Sequence, residues 1–422
     1  MQTSHLLFGL LVILLTVAIL VVIRKPTEPF ENGFTDEKEY KQQIAMLSEA
    51  FWAKADAKRP VSDLLSHTDM KPEQQNFVNF YSVACRFPGY VGPMNDGYID
   101  MESGVQTAVK SGCRVFVVDI DYLDDCNGEE ATQYFPRLVV RDVQGKLVIK
   151  ASGNQPMCNT DGYSNLKTLF EKINFYAFAD SCQQASDPVV IVLYFQRQPP
   201  GSYKSKAVLD YYSHVAKALA PFQDRFLTNE LDGGTFYRQK QESRLLINNI
   251  KNYNGRVLIF SNANTNGFRE VKTYSTDEDL DYMTQLRLSY TQTKLGVTDN
   301  DAGSSFGILQ TAEDFTVIPS DRSDEVMEHT KLRWTICLPK DPSKSISKEV
   351  YDQITKTYGV HCVSAMLFDP ASHFLFDDPY FKTYGFLPKP EGLRYIKPPV
   401  ITPAKPNPST DAKQGMLRAP IG

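Results

Sequence analysis

The sequence predicts an α/β protein whose main domain is a closed (β/α)8 barrel of the TIM type, preceded by an N-terminal transmembrane helix. Between residues 76 and 396, short apolar runs alternate with helical stretches, which is typical of a parallel sheet buried on both faces. Around eight such units in one domain favour a closed barrel over a doubly wound sheet. We expect four segments: an anchor (1–25), a hinge and helical stalk (26–75), the barrel (76–396) and a proline-rich extended tail (397–422).

The anchor is predicted from Leu6 to Ile23, a stretch without any charged residue. As a helix it would span about 27 Å, close to the thickness of the hydrocarbon core of a bilayer. A cleaved signal peptide is the alternative, but no basic residue precedes the stretch, and Arg24 and Lys25 follow it directly. These two cations predict a single-pass protein with its large domain on the cytoplasmic side.

The stalk is predicted to contain a helix that begins near Thr35, a residue type favoured as an N-cap. Apolar residues then recur at helical spacing and define one face: Tyr40, Ile44, Leu47 and Phe51. This face could serve self-association, but docking on the main domain is the commoner arrangement.

Seven strand regions are predicted at 77–84, 115–120, 138–140 with 147–149, 189–195, 257–260, 332–338 and 363–368. Helices are predicted between them at 104–111, 166–180, 205–219, 239–252 and 347–356. The segment from Asn262 to about Arg322 is polar and rich in turn-forming residues. We therefore expect it to be a long insertion between two half-barrels.

Composition excludes several classes of function. A net charge of −5 and a pI near 5.8 give no basic surface for nucleic acid. The seven cysteines are scattered without a C-x-x-C pair, which indicates reduced, mostly buried thiols and no zinc site. The sequence predicts no cofactor and no metal. Only six histidines are present, and none lies between His67 and His214.

Several short segments carry a resemblance to a known family, and they occur in the family's order. They are GCRVFVVD (112–119), LFEKI and YAF (169–173, 176–178), DPVVI (187–191), GRVLI (255–259), HTK and LPK (329–331, 338–340), and GFLPKP followed by LR (385–390, 393–394). Together they resemble the X and Y halves of the catalytic barrel of eukaryotic phosphoinositide-specific phospholipase C. The resemblance implies the phospholipase C-like phosphodiesterase fold over residues 76–396.

The resemblance also implies which functional positions this chain has lost. The general-base histidine falls on Ala84 and the calcium-binding asparagine on Cys85. A metal-binding glutamate falls on Val117, whereas the aspartate two positions later survives as Asp119. The second histidine is expected between 121 and 165, where the chain has none.

The remaining positions are lost as well. The glutamate that ends the next strand falls on Tyr194, or on Phe195 with a one-residue shift, and two lysines fall on Phe260 and Asn262. The arginine and tyrosine of the phosphate-binding segment become Ile336 and Leu338. One inherited carboxylate cannot supply the oxygen ligands of a calcium ion, and apolar side chains cannot clamp a phosphate. The sequence therefore predicts a barrel that is degenerate at its catalytic positions and does not cleave phosphoinositides.

Polar residues at the predicted strand ends are the remaining candidates for a site, because function in such barrels lies at the C-terminal ends of the strands. They are Asp119, Asp121, Asn262, Asp369 and His373. A pair of carboxylates there could bind a cation or perform acid–base chemistry. The alternative is that these residues cap helices and form turns, which is the more common role.

The leading functional hypothesis is a membrane-anchored pseudoenzyme that acts as a structural or binding scaffold between a bilayer and a protein partner. The bilayer would hold residues 6–23, and the partner would bind the stalk or the mildly basic, proline-rich tail. A component of a virion's internal membrane would be one example of this layout. Two alternatives remain open: a phosphodiesterase or other hydrolase with an altered site that uses Asp119 and Asp121, and a lipid-headgroup binder that does not cleave.

Overall fold

Eight parallel strands form a closed barrel in the computed structural model, which describes residues 37–92, 97–124, 134–147, 165–227, 244–289 and 307–397. The barrel strands are β1 (Phe80–Arg86), β2 (Val115–Asp121), β3 (Val189–Phe195), β4 (Val257–Ser261), β5 (Leu286–Ser289), β6 (Gly307–Thr311), β7 (Trp334–Leu338) and β8 (Cys362–Ala365). Each strand pairs in parallel with the next, and β8 pairs in parallel with β1, which closes the sheet. The predicted barrel architecture is confirmed.

Apolar side chains of the strands alternate between two packed layers. Along β2, Val115 and Val117 belong to the cluster that fills the barrel, whereas Phe116 and Val118 belong to the cluster between the barrel and its helices. Both layers exclude water almost completely, and β-branched residues suit strands that are buried on both faces. A strand such as β3 therefore reads as a continuous apolar run in the sequence.

Helices and single turns connect the strands. The α-helices are α1 (Glu37–Phe51), α2 (Val61–Ser66), α3 (Met101–Ser111), α4 (Leu166–Ala177), α5 (Lys206–Ala218), α6 (Arg244–Ile247), α7 (Gly267–Glu270), α8 (Leu280–Met283), α9 (Ala312–Thr316), α10 (Ser323–Leu332) and α11 (Lys348–Tyr358). Several begin at a capping side chain, as Asn165, Ser205 and Ser347 do for α4, α5 and α11.

Four short strands of the described ranges lie outside the parallel barrel pairing. Phe386–Pro388 pairs antiparallel with β1, Arg137–Leu138 pairs antiparallel with the end of β2, and Tyr90–Val91 pairs with Tyr98–Ile99. The prediction of a barrel strand at 138–140 with 147–149 is therefore wrong, because Arg137–Leu138 pairs antiparallel with β2 instead of following it in parallel. Likewise, residues 77–79 form a 3-10 turn, and β1 begins only at Phe80.

The insertion predicted from Asn262 to Arg322 is also wrong, because this segment supplies β5 and β6 of the barrel. Both strands are short and contain polar residues: Arg287 and Ser289 alternate with leucine in β5, and Gln310 and Thr311 end β6. They lack the continuous apolar run by which the other strands were predicted. The barrel closes only when both are counted.

Helix α1 docks on the barrel domain through the apolar face predicted for the stalk. Leu47 and Phe51 are buried in the layer between the strands and the helices, and Ile44 packs against it. The indole nitrogen of Trp52, directly after α1, donates a hydrogen bond to Thr107 of α3 at 3.0 Å. Docking, not exposure for self-association, is the arrangement that these side chains adopt.

The predicted anchor at 6–23 and most of the tail after residue 397 lie outside the described residues. Within the described ranges, no helix combines the length and the apolar composition needed to cross a bilayer. All five cysteines of these ranges are free, and four of them are buried. The predicted reduced thiols are thus confirmed for Cys85, Cys113, Cys182, Cys337 and Cys362.

Candidate functional site: the mouth of the barrel

A buried ion pair lies at the C-terminal ends of β1 and β2. Arg86 is opposite Val117 in the parallel register, and Asp119 is two residues further along β2 on the same face. Arg86 Nε donates to Asp119 Oδ1 at 3.1 Å, and Arg86 Nη2 donates to Asp119 Oδ2 at 2.8 Å. Both side chains are almost inaccessible to solvent. Asp119, the aspartate that the chain shares with the family pattern, therefore accepts two hydrogen bonds from the guanidinium group of Arg86.

Residues from β3 complete the surroundings of Asp119. Gln196 Nε2 donates to Asp119 Oδ2 at 2.6 Å, and the guanidinium carbon of Arg86 lies 5.8 Å from the centre of the Tyr194 ring. Burial raises the pKa of the Asp119 carboxyl above its usual value, while Arg86 and Gln196 oppose this rise. The environment is a desolvated, hydrogen-bonded pair rather than an open acidic cleft.

Asp121, the second predicted carboxylate, is held by two further arginines. Arg141 Nη2 lies 2.7 Å from Asp121 Oδ2, and Arg197 Nε lies 3.0 Å from the same atom. The backbone N–H of Tyr122 donates to Asp121 Oδ1 at 2.8 Å. Arg197 also reaches Asp124 at 3.0 Å, so the charges form a chain that runs out to the surface.

Four of the predicted degenerate positions fill the barrel itself. Ala84, Val117, Ile336 and Leu338 all belong to the apolar cluster inside the barrel and are buried. Cys85 faces the other way, into the layer of helices, and burial raises the pKa of its thiol. The geometry therefore places apolar side chains, closely packed, at the positions where the resemblance implies acid–base and metal-binding groups.

The other strand-end candidates have structural partners. Asn262 is buried and exchanges two hydrogen bonds with the backbone of Phe195, accepting at 2.8 Å and donating at 3.1 Å. Asp369 caps the 3-10 helix Pro370–Phe376 by accepting from the backbone N–H of Ala371 at 3.0 Å. His373 Nε2 lies 2.8 Å from the carbonyl oxygen of Leu367, and its ring packs edge-on against Phe51. These contacts correspond to the capping and turn-forming alternative.

A polar cavity of about 280 Å³ opens above the ion pair. Its cationic walls are Arg86, Arg141 and Lys340, and Asp142 is the one carboxylate among its lining residues. Tyr194, Gln196, Gln310 and Thr311 contribute hydrogen-bonding groups. Across the described part of the chain, no group of three or more Cys, His, Asp or Glu side chains converges in a way that could hold a metal ion.

The sequence reasoning missed the arginines. Arg86 stands next to the two degenerate positions 84 and 85, and strand alternation alone places it on the same face as Ala84. That signal was present in the sequence. Arg141 and Arg197 could not be found in this way, because their approach to Asp121 depends on the fold-back of residues 137–147 and on the loop after β3.

No protein-family model and no curated protein matches the chain. Among solved structures, the chain is similar to L. pealei PLC21, with a TM-score of 0.49 and 14% identity over 78% of this chain. It spans only 40% of that structure's own length.

Two bacterial structures are also similar. They are a calcium-dependent phosphoinositol-specific phospholipase C from a Pseudomonas species (TM-score 0.43, 13% identity, 75% of this chain and 96% of that one) and a Ca²⁺-dependent phosphatidylinositol-specific phospholipase C from Streptomyces antibioticus (0.43, 9%, 71% and 97%). The assignment of the barrel rests on its own strand pairing.

Proposed function

We propose that this protein is a membrane-anchored, catalytically inactive phospholipase C-like barrel that serves as a scaffold between a bilayer and a protein partner. The observation that carries the proposal is the Arg86–Asp119 pair, together with the apolar packing at Ala84, Val117 and Ile336. Acid–base groups are missing where the resemblance implies them, and the inherited carboxylate already has a cationic partner.

The ion pair opposes metal-dependent chemistry for an energetic reason. A divalent cation that took the place of Arg86 at Asp119 would have to displace both hydrogen bonds from its guanidinium group. Arg86 would then be a buried cation without its partner, which costs several kcal/mol. Asp121 is opposed in the same way by Arg141 and Arg197. Asp119 and Asp121, the two carboxylates on which the altered-hydrolase alternative depends, are thus both paired with arginine.

The anchoring half of the proposal is tested by vesicle flotation of the full-length protein. We expect the native chain to float with phosphatidylcholine vesicles, and a Leu14→Arg, Val17→Arg double variant to remain in the dense fraction. A charged side chain at the centre of a membrane helix costs about 2.5–3.5 kcal/mol, whereas the matched Leu14→Ala, Val17→Ala variant should still float. Equal flotation of all three proteins would contradict the anchor.

One observation favours a second function, the binding of an anion such as an inositol phosphate without cleavage. The mouth cavity is lined by Arg86, Arg141 and Lys340, although the lysines and the arginine of the family pattern are lost. Calorimetric titration with inositol trisphosphate tests this function. Saturable binding that weakens in Lys340→Gln would support it, and an absence of heat at millimolar ligand would reject it.

A further inference from the structure

A histidine and a lysine are in contact at the opposite end of the barrel, beneath the starts of the strands. His361 directly precedes β8, and Lys389 directly follows the strand Phe386–Pro388. Both residues are completely buried. Lys389 Nζ lies 2.7 Å from His361 Nε2, which is hydrogen-bonding distance.

The hydrogen bonds around the pair determine where its protons are. The backbone N–H of Thr335 donates to His361 Nδ1 at 3.0 Å, so this nitrogen carries no proton. A neutral imidazole must then carry its proton on Nε2. An ammonium group has no lone pair and could not accept from that Nε2–H, so Lys389 must be an uncharged amine. The amine can still donate a hydrogen to the carbonyl oxygen of Thr330, which lies 3.2 Å away.

The surroundings favour this uncharged state. Burial lowers the pKa of Lys389 and that of His361 well below their usual values. The titratable groups recorded near the pair within the described residues are Lys331 of α10, which lowers the pKa of Lys389 further, and Tyr81 of β1, whose ring centre lies 6.0 Å from Lys389 Nζ. From β7 the pair meets Thr335 and the Trp334 ring, and a hydrogen bond between His361 and the Val78 backbone partly opposes the lowering of the His361 pKa. None of these groups is a carboxylate that could stabilise an added positive charge.

We propose that the His361–Lys389 pair is an acid-sensitive latch that holds the C-terminal segment 386–397 on the floor of the barrel and releases it when the pair takes up a proton. The latch joins four elements, because Thr330 lies in the last turn of α10, Thr335 lies in β7, His361 directly precedes β8 and Lys389 belongs to the C-terminal segment. A proton on either side chain places an uncompensated charge in this apolar setting, and opening the segment exposes that charge to water.

Other hydrogen bonds of the C-terminal segment are made by the Lys389 backbone or by residues close to it. The Lys389 backbone N–H donates to the carbonyl oxygen of Asn79 at 2.9 Å, and Asn79 exchanges two hydrogen bonds with the backbone of Tyr395. Arg394 Nε donates to the Lys389 carbonyl oxygen at 2.6 Å. Displacement of Lys389 would therefore loosen the chain as far as the start of the predicted partner-binding tail.

Hydrogen exchange followed by mass spectrometry tests the latch in the full-length protein in detergent. We expect the protection of peptides covering 386–395, corrected for the intrinsic pH dependence of exchange, to fall about tenfold per pH unit as acidification protonates the pair. The loss should level off once the closed state is itself protonated, because both states then bind the same proton. The protection of peptides covering β2 and β3 should stay constant over the same pH range.

The Lys389→Met variant replaces the amine with an apolar side chain of similar length and should keep these peptides protected at low pH. Lys382→Met, an exposed lysine in the same region, is the matched control and should behave like the native protein. Wild-type protection that does not depend on pH, or a Lys389→Met variant with the wild-type pH dependence, would overturn the proposal.

If Lys389→Met does not fold, the proton positions can be measured in the native protein. Long-range proton–nitrogen NMR correlation of selectively labelled histidine should show His361 as a neutral ring protonated on Nε2 at neutral pH. A ring protonated on Nδ1, or on both nitrogens, would also overturn the latch, because Lys389 would then not need to accept a hydrogen bond.

Discussion

Two buried aspartates of this barrel differ in how their charge is balanced. Asp119 accepts two hydrogen bonds from the guanidinium group of Arg86, whereas Asp187 accepts one hydrogen bond from the backbone N–H of Val61 at 2.8 Å. Burial raises the pKa of Asp187 to about 6, although Arg114 and the Val61 N–H oppose the rise. Removing charge should therefore have opposite consequences at the two positions.

At the mouth, Arg86→Met should lower the free energy of unfolding by about 3–5 kcal/mol, because it leaves Asp119 as an unpaired buried carboxylate. A second change, Asp119→Leu, should recover most of this loss, since an apolar pair of similar volume avoids the desolvation of both charges. Urea unfolding of the native protein, the single variant and the double variant measures both effects. An Arg86→Met variant as stable as the native protein would show that the pair is not desolvated.

At Asp187 the same kind of measurement should show a stabilising change. Between about pH 4 and pH 6 the folded state binds more protons than the unfolded state, so the native protein loses stability as the pH rises through this window. Asp187→Asn removes that loss and should gain about 2 kcal/mol at pH 8 and little at pH 4. A gain that is the same at both pH values would contradict the raised pKa.

At the scale of elements, helix α3 approaches the turn after β1 so closely that one position must be glycine. A Cβ atom on Gly104 would lie 2.6 Å from the Cα atom of Gly89, which itself has a φ of +88°. Backbone therefore packs against backbone where α3 crosses Gly89. The contact positions α3 beside the segment that leads away from Arg86.

The variant Gly104→Ala tests this packing, because the two possibilities change the free energy of unfolding in opposite directions. Alanine is about 1 kcal/mol more favourable than glycine in an unobstructed helix, whereas overpacking costs about 1–3 kcal/mol. We expect a net loss of stability in thermal unfolding, and little change in Gln106→Ala on the same helix. A stabilised Gly104→Ala variant would mean that the two segments can separate at low cost.

The elements also show which parts of the fold the sequence could predict. Strands with an unbroken apolar run, such as β2 and β3, were found almost to the residue, because burial on both faces leaves a strong signal. Strands β5 and β6 were missed because they are short and contain polar residues, such as Arg287 in β5 and Gln310 in β6. A similar limit applies to the mouth: Asp121 was found as a strand-end residue, but Arg141 and Arg197 reach it only through the fold-back of residues 137–147 and the loop after β3.

At the scale of the whole molecule, the two ends of the barrel bury ionisable side chains in different ways. The mouth balances aspartates with arginines, and the floor contains an uncharged histidine–lysine pair. Apolar side chains fill the space between them, including three positions that the resemblance assigns to catalysis, Ala84, Val117 and Ile336. A fold can keep its strands when its active-site residues change, because strand packing and active-site residues are separate requirements.

The most direct test of the central claim is a hydrolysis assay with the full-length protein in excess over phosphatidylinositol and its bisphosphate in vesicles. With calcium present, we expect no release of inositol phosphates above that from protein-free vesicles, and the same result for Asp119→Asn. Calcium-dependent release by the native protein that is lost in Asp119→Asn would contradict the claim, because it would show that the inherited carboxylate still supports catalysis despite its pairing with Arg86.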